Sequence, residues 1–210
     1  MFDYLPELST IISFLGASII LTLAPGPDII YVASQSALNG AKYGIITALG
    51  LSTGLVVHTL LASFGISALI TASNSAYLVL KITGALYLFY LGIITLVKIK
   101  ESRNSISKVQ KIGYNNLFIR GIMMNLLNPK VILFFLAFLP QFTGKSSEFM
   151  PKNLVFLGIL FIIQAITIFT LVSIISDKLG EKFFSSQTFD KYGNYATAII
   201  FILIGISILL

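Results

Sequence analysis

Two short polar interruptions lie inside long apolar stretches, half a chain apart. The first is Pro25-Gly26-Pro27-Asp28 and the second is Asn128-Pro129-Lys130. A proline inside a membrane helix removes one N–H and clashes with the carbonyl four residues earlier, which here frees the oxygens of Leu21, Leu23 and Asn125. Such groups survive at membrane depth where they are buried in protein or line a polar cavity. The breaks therefore predict a polar site inside the membrane.

Opposite charges occupy matching places in the two breaks. When Pro27 is aligned with Pro129, Asp28 coincides with Lys130. Lys130 can bind a carboxylate and Asp28 can accept an ammonium group, and a zwitterionic amino acid carries both. The alternative is that the two residues pair only with each other and close the protein core. In either case an unpaired charge at this depth costs at least ~2.5 kcal/mol, so neither residue is expected to face lipid.

The residue types at both breaks also suit helix starts, because Asn and Gly are good N-caps and proline fits the first helical position. Helix starts attract anions. The positive charge of Lys130 is therefore unfavourable at the start of its own helix until a carboxylate binds there, whereas the negative charge of Asp28 is favoured by its helix dipole. We predict that the residues of both breaks bind the substrate: Pro25, Gly26, Pro27, Asp28, Asn128, Pro129 and Lys130.

His58 is the only histidine of the chain and lies in an apolar stretch. It is either a proton carrier, since histidine titrates near neutral pH, or a neutral residue that donates one hydrogen bond across helices. Asp28 is the other candidate proton carrier. One histidine without cysteine or a nearby carboxylate predicts no metal site. The chain also lacks a phosphate-binding loop, which leaves proton antiport, without any cofactor, as the expected energy source.

Composition places the whole chain in the membrane. Hydrophobic residues make up 56%, charged residues 10%, and the mean hydropathy is +0.94, whereas soluble domains carry roughly 25% charged residues. Six apolar segments approach or exceed the roughly 20 residues that cross a bilayer. They run at about residues 8–38, 43–72, 76–97, 117–142, 153–176 and 193–210. We therefore expect one all-α integral membrane domain over residues 1–210.

The distribution of basic residues predicts orientation rather than nucleic-acid binding. The net charge is +6, but the bases concentrate around a loop at 99–116, which the positive-inside rule makes cytoplasmic. Ten bases then lie inside: Lys42, Lys98, Lys100, Arg103, Lys108, Lys111, Arg120, Lys178, Lys182 and Lys191. Three lie outside, namely Lys81, Lys145 and Lys152. Both termini are expected outside the cytoplasm.

The loop divides the six predicted helices into two halves, 1–98 and 117–210. Because each half has three spans, the halves enter the membrane from opposite faces, so we expect two inverted three-helix repeats with a broken first helix in each. Inverted repeats with corresponding interrupted helices indicate a midplane binding site in secondary transporters. Glycines at 44, 50, 54, 65, 84 and 92 are expected to let helix backbones approach closely.

The motifs together resemble the LysE/RhtB amino-acid exporter family. The resemblance rests on Ala24-Pro-Gly-Pro-Asp28, on Gly50-x3-Gly54-x3-His58, on Lys81-x2-Gly84-Ala-x-Tyr87, and on the run from Asn128 to Phe142. It covers nearly the entire chain with order and spacing kept. It implies a small inner-membrane protein that exports amino acids, such as lysine, threonine or homoserine, driven by the proton gradient.

These observations favour a secondary-active amino-acid exporter over two other classes. Cation or metal efflux is the alternative, because distant relatives of the fold resemble cation exporters, but the site contains Lys130 and few oxygen ligands. An enzyme would need a nucleophile with its base or two facing carboxylates, whereas Asp28 is the only acid in the predicted spans. The substrate, the coupling ion and a possible homodimer stay open at this point.

Overall fold

The computed structural model describes residues 6–98, 112–143, 150–180 and 187–209, and the regular elements in these ranges are all helical. The α-helices are α1 (Leu8–Leu23), α2 (Pro27–Asn39), α3 (Ala41–Leu60), α4 (Ser67–Ala72), α5 (Asn74–Lys98), α6 (Tyr114–Leu126), α7 (Pro129–Leu133), α8 (Met150–Leu179) and α9 (Gln187–Leu209). The π-helical segment Leu61–Ile66 joins α3 to α4. The predicted all-α class is confirmed.

The number of membrane-length elements agrees with the sequence pattern. Four helices are long and apolar enough to cross a membrane: Ala41–Ile70, Ser75–Val97, Met150–Leu179 and Tyr192–Leu209. Two further candidates are bent pairs, Leu8–Leu23 with Pro27–Asn39 at 58° and Tyr114–Leu126 with Pro129–Phe142 at 50°. By length and composition, the described residues therefore hold four candidate spans, or up to six, the predicted number, if each bent pair is one span.

Both breaks form where local backbone rules require them. Gly26 caps α2 in an extended conformation, φ −151° and ψ 175°, and Pro27 is the first helical residue. Asn128 caps α7, and its Oδ1 accepts a hydrogen bond of 3.1 Å from the Lys130 backbone N–H. Pro129, which has no N–H to donate, takes the first position. The predicted helix starts are confirmed.

The helix after the second break is irregular. Phe134–Phe138 is π-helical and Leu139–Phe142 forms a 3-10 turn. Pro140 lies in that turn, where its missing N–H and its ring interrupt the α-helical ladder. The π-helical segment places Phe134 and Phe135 against Phe161 of α8, with ring centroids 5.1 and 5.2 Å apart. This aromatic cluster lies in the core and fixes α8 against the second broken helix.

Glycines set the closest helix crossings. A Cβ at Gly50 of α3 would lie 2.2 Å from the backbone oxygen of Phe118 in α6, and one at Gly121 would lie 2.6 Å from that of Thr47. The predicted close approach is thus present at this crossing. The prediction of a close approach is wrong for Gly65, because among the described residues no atom beyond the nearby backbone of its own helix lies within 4 Å of the position of its Cβ.

Two of the basic residues predicted to lie on the cytoplasmic side contact tyrosine rings. The Lys42 ammonium lies 4.7 Å from the centre of the Tyr114 ring, and the Arg120 guanidinium lies 4.9 Å from that of Tyr31. Residues 99–111 of the loop lie outside the described residues, as do Lys145 and Lys182. Residues 114–116, assigned to the loop from the sequence, already belong to α6.

Candidate functional site at the helix breaks

Asp28 and Lys130, predicted from matching places in the sequence, meet in the interior. The Lys130 Nζ lies 3.1 Å from Asp28 Oδ2 and 3.2 Å from Oδ1. The two side chains are only 3% and 4% exposed. The core pair left open by the sequence is therefore present in this conformation.

Each charge of the pair lies at a helix end of the appropriate sign. The Lys130 ammonium donates to the backbone oxygens of Leu21, at 3.1 Å, and Ala24, at 3.2 Å. These are carbonyls at the C-terminal end of α1, where a helix dipole favours cations. Asp28 lies in the first turn of α2, where the dipole favours anions. The bend between α1 and α2 thus stabilises both charges. The Lys130 charge was predicted to lie at the start of its own helix, but the long side chain brings the ammonium group to the end of α1 instead.

Two of the carbonyls that the prolines free, Leu21 O and Asn125 O, contact side chains from elsewhere in the chain, and so does Pro25 O at the first break. Asn125 O also accepts from the backbone N–H of Asn128 at 3.0 Å. Leu21 O accepts from Lys130, as predicted for a freed group. Asn125 O lies 3.3 Å from the Nε2 of His58, a contact in which the Nε2–H tautomer donates. Pro25 O accepts a bond of 2.6 Å from the Thr197 hydroxyl of α9. Helix breaks and distant helices are therefore linked by specific hydrogen bonds.

His58 is buried in α3 and contacts the second break rather than the ion pair. Its ring lies 5.7 Å from that of Phe135. One turn earlier Gly54 leaves room for Asn125, since a Cβ there would lie 2.7 Å from Asn125 Oδ1. Asn125 itself lines the cavity that holds the ion pair. His58 thus contacts a residue that also lines the cavity of the ion pair.

A small cavity surrounds the ion pair. Its volume is about 10 Å³, which is room for about one water molecule. Apart from the pair it is lined mainly by apolar side chains: Leu21, Thr22, Leu55, Asn125, Val131, Phe161, Ala165 and Phe169. An amino acid does not fit, so this conformation is closed around its own charges.

Gln164 is a polar residue within the apolar helix α8. Its Nε2 donates to the hydroxyl of Thr22 at 3.0 Å, which bridges α8 to α1 beside the cavity. Gln164 Oε1, Asn125 Oδ1 and Asn128 Nδ2 are buried without a hydrogen-bond partner among the described residues. In the sequence, a glutamine within an apolar segment is the one indication of this contact, and it does not identify Thr22 as the partner.

The predicted site residues do not all converge. Asp28, Lys130 and Asn128 are buried, and Gly26 lies so close that a Cβ there would be 2.8 Å from Asp28 Oδ1. Pro27, by contrast, is exposed. It acts through the backbone, as the first residue of α2, rather than by facing the cavity.

Comparison with known proteins gives a family match over most of the chain. The sequence model of the family described as LysE type translocator matches residues 19–210. The uncharacterized membrane protein YrhP of Bacillus subtilis is 27% identical over 95% of this chain and 98% of its own length. The leucine efflux protein of Salmonella typhimurium is 31% identical over 62% of this chain and 61% of its own length. No solved structure matches the chain.

Proposed function

Because the chain belongs to the LysE type translocator family, we propose that it is a secondary-active exporter of amino acids or small amino-acid derivatives across the cell inner membrane. The observation that carries the proposal is the buried Asp28–Lys130 pair at the two helix breaks. A carboxylate and an ammonium group, held in one small cavity, match the two charges of a free amino acid. A relative named as a leucine efflux protein adds support.

Substrate binding is an exchange of ion-pair partners. The substrate carboxylate takes the place of Asp28 on Lys130, and the substrate ammonium pairs with Asp28. Lys130 keeps its bonds to Leu21 O and Ala24 O throughout, so its charge is never left without acceptors. This matters because a buried charge that loses its partner is strongly unfavourable. The exchange requires the cavity to widen, since it now has room for about one water molecule.

The two halves act as inverted repeats that rock about the site. Reciprocal contacts support this arrangement. The second long helix of each half packs on the broken helix of the other, α3 on α6 and α8 on α1 and α2. His58 of α3 reaches Asn125 at one break, and Gln164 of α8 reaches Thr22 at the other.

The third long helices, α5 and α9, pack against each other in the same reciprocal way. A Cβ at Gly92 would lie 3.1 Å from Ala198 O, and one at Gly205 would lie 3.3 Å from Ala85 O. Gly92 therefore approaches Ala198, which lies seven residues before Gly205, and Gly205 approaches Ala85, which lies seven residues before Gly92. Such contacts suit alternating access, in which one repeat moves against the other.

Protons are the proposed coupling ion, with Asp28 and His58 as carriers. A proton and the substrate ammonium compete for the Asp28 carboxylate, so Asp28 binds them in turn, as antiport requires. His58 donates to Asn125 O at the second break, so a change in its protonation acts on the helix end that also lines the cavity. Cation export is not favoured, because an ammonium group occupies the site. We also propose that the chain is no enzyme, in line with its family of translocators.

Transport by the purified protein tests the function. The protein is reconstituted in vesicles preloaded with one radiolabelled amino acid, and release is measured with and without a pH gradient. We expect release of at least one amino acid, accelerated by the gradient, and none from protein-free vesicles. Retention of every amino acid in the panel would contradict the proposal. Lys81→Met provides a control, because it removes a lysine of α5 that is not part of the cavity.

A further inference from the structure

One face of α8 forms the apolar wall of the ion-pair cavity. Phe161, Ala165 and Phe169 are spaced four residues apart, which places them on one side of the helix. They are 3%, 1% and 3% exposed. Leu55 of α3 and Val131 of α7 line the cavity as well. A substrate held at the ion pair therefore has apolar side chains around it.

The charges of the cavity are already matched to a zwitterion. Among the described residues that line it, Asp28 and Lys130 are the only charged side chains. In an amino acid with a neutral side chain, the ammonium group pairs with Asp28 and the carboxylate pairs with Lys130, so no charge is left without a partner. Lysine or glutamate would bring a third charge among phenylalanines, where an uncompensated charge is strongly unfavourable.

A buried acceptor without a partner also fits an ammonium group. Asn125 lines the cavity, is 2% exposed, and its Oδ1 has no hydrogen-bond partner among the described residues. A buried acceptor that lacks a donor is costly. A substrate ammonium has three N–H donors, so it can bond to Asn125 as well as to Asp28.

We propose that the exported substrate is a zwitterionic amino acid with an apolar side chain, and that Ala165 and Phe169 determine which side chain fits. This inference rests on the amino-acid export proposed above. Ala165 is the small residue between two phenylalanines, so it leaves the space that a substrate side chain enters when the cavity widens. A larger residue at 165 removes that space, and a smaller one at 169 extends it.

Reconstituted vesicles with four separate probes test the inference: leucine, alanine, lysine and phenylalanine. The wild-type protein should release leucine at least about tenfold faster than lysine. Ala165→Leu should slow leucine about tenfold or more while alanine is still released, because methylene-sized changes in an apolar pocket have effects of this size. Phe169→Ala should raise the rate for phenylalanine relative to leucine. Ile163→Ala is the matched control on α8: it is 57% exposed and should leave every ratio unchanged.

The outcomes separate this inference from the function on which it rests. Equal release of lysine and leucine, or unchanged ratios in both cavity variants, would overturn the inference and leave amino-acid export in place. Release of no amino acid by the wild-type protein would overturn both. If Ala165→Leu does not reach the membrane, the phenylalanine-to-leucine ratio of Phe169→Ala decides alone, because removing ring atoms causes no clash.

Discussion

At the residue scale, Asp28 and Lys130 are the two charged residues of the candidate site. Their opposite charges at matching positions are visible in the sequence, and the structure brings them to 3.1 Å. The route by which they meet was not predictable. Lys130 reaches across the site to the end of α1, and that path depends on how the two broken helices pack rather than on any local residue pattern.

Single neutralisations of this pair should abolish export. Lys130→Met and Asp28→Asn each remove one partner of a zwitterionic substrate and leave the other charge buried, which costs about 3–5 kcal/mol. The double variant restores charge balance, so it should recover thermal stability but not transport. Export from vesicles and the unfolding temperature in detergent measure the two effects. Wild-type export by Lys130→Met would instead leave the pair with a structural role alone.

His58→Gln should separate transport from its energy source. Glutamine retains an N–H donor for Asn125 O but carries no proton in the working pH range. Exchange of substrate across the membrane should therefore continue, while accumulation driven by a pH gradient is lost. His58→Phe, which removes the donor too, should lower both. Uphill export by His58→Gln would make the histidine a packing residue and leave the proton to Asp28 or to a different ion.

At the scale of the elements, Gly26 between α1 and α2 leaves the space that the ion pair occupies. Gly26→Ala should slow export by about tenfold or more, because misplacing reacting or binding groups by about 1 Å has effects of this order. The added Cβ would lie 2.8 Å from Asp28 Oδ1 and 3.1 Å from Lys130 Nζ. Stability should change little, since both contacted atoms end flexible side chains. Transport and thermal unfolding are compared in the same preparations.

Gly16→Ala is the matched control, because among the described residues no atom other than the nearby backbone of α1 itself lies within 4 Å of that Cβ position. It should export normally. Equal loss in the two variants would trace the defect to α1 in general rather than to the ion pair.

The helix breaks were predictable because proline, glycine and asparagine impose local backbone rules, and Gly26 and Asn128 follow them. The π-helical run from Phe134 to Phe138 was not predictable from such local rules, since it results from Pro140 together with aromatic packing against α8. Gly65 shows the limit of composition: a glycine in a membrane helix approaches a neighbour only if a neighbour is there.

At the scale of the whole molecule, the placement of the termini remains a prediction. The ten-to-three excess of bases puts the 99–116 loop inside and both termini outside. A reporter that fluoresces only in the cytoplasm should therefore glow when inserted near Ser105 and stay dark when fused after Leu210. A glowing C-terminal fusion would mean that the orientation is reversed or that α9 does not cross the membrane.

The six apolar segments could be read from the sequence because each is a continuous run. The lining of the cavity could not be read from the sequence, since it comes from six helices: α1, α2, α3, α6, α7 and α8. Residues that are far apart in the chain, such as Leu55 and Phe169, become neighbours only through the packing of these helices.

The tightness of the cavity has a consequence for the cell that holds this protein. A membrane stores energy only as long as it insulates, and every exporter is a potential leak. Here the fixed charges neutralise each other in a space for about one water molecule, so we expect this conformation to conduct neither sodium nor potassium ions. We therefore expect the Asp28–Lys130 pair, which we propose as the substrate site, also to limit ion leakage through the protein and so to preserve the membrane voltage.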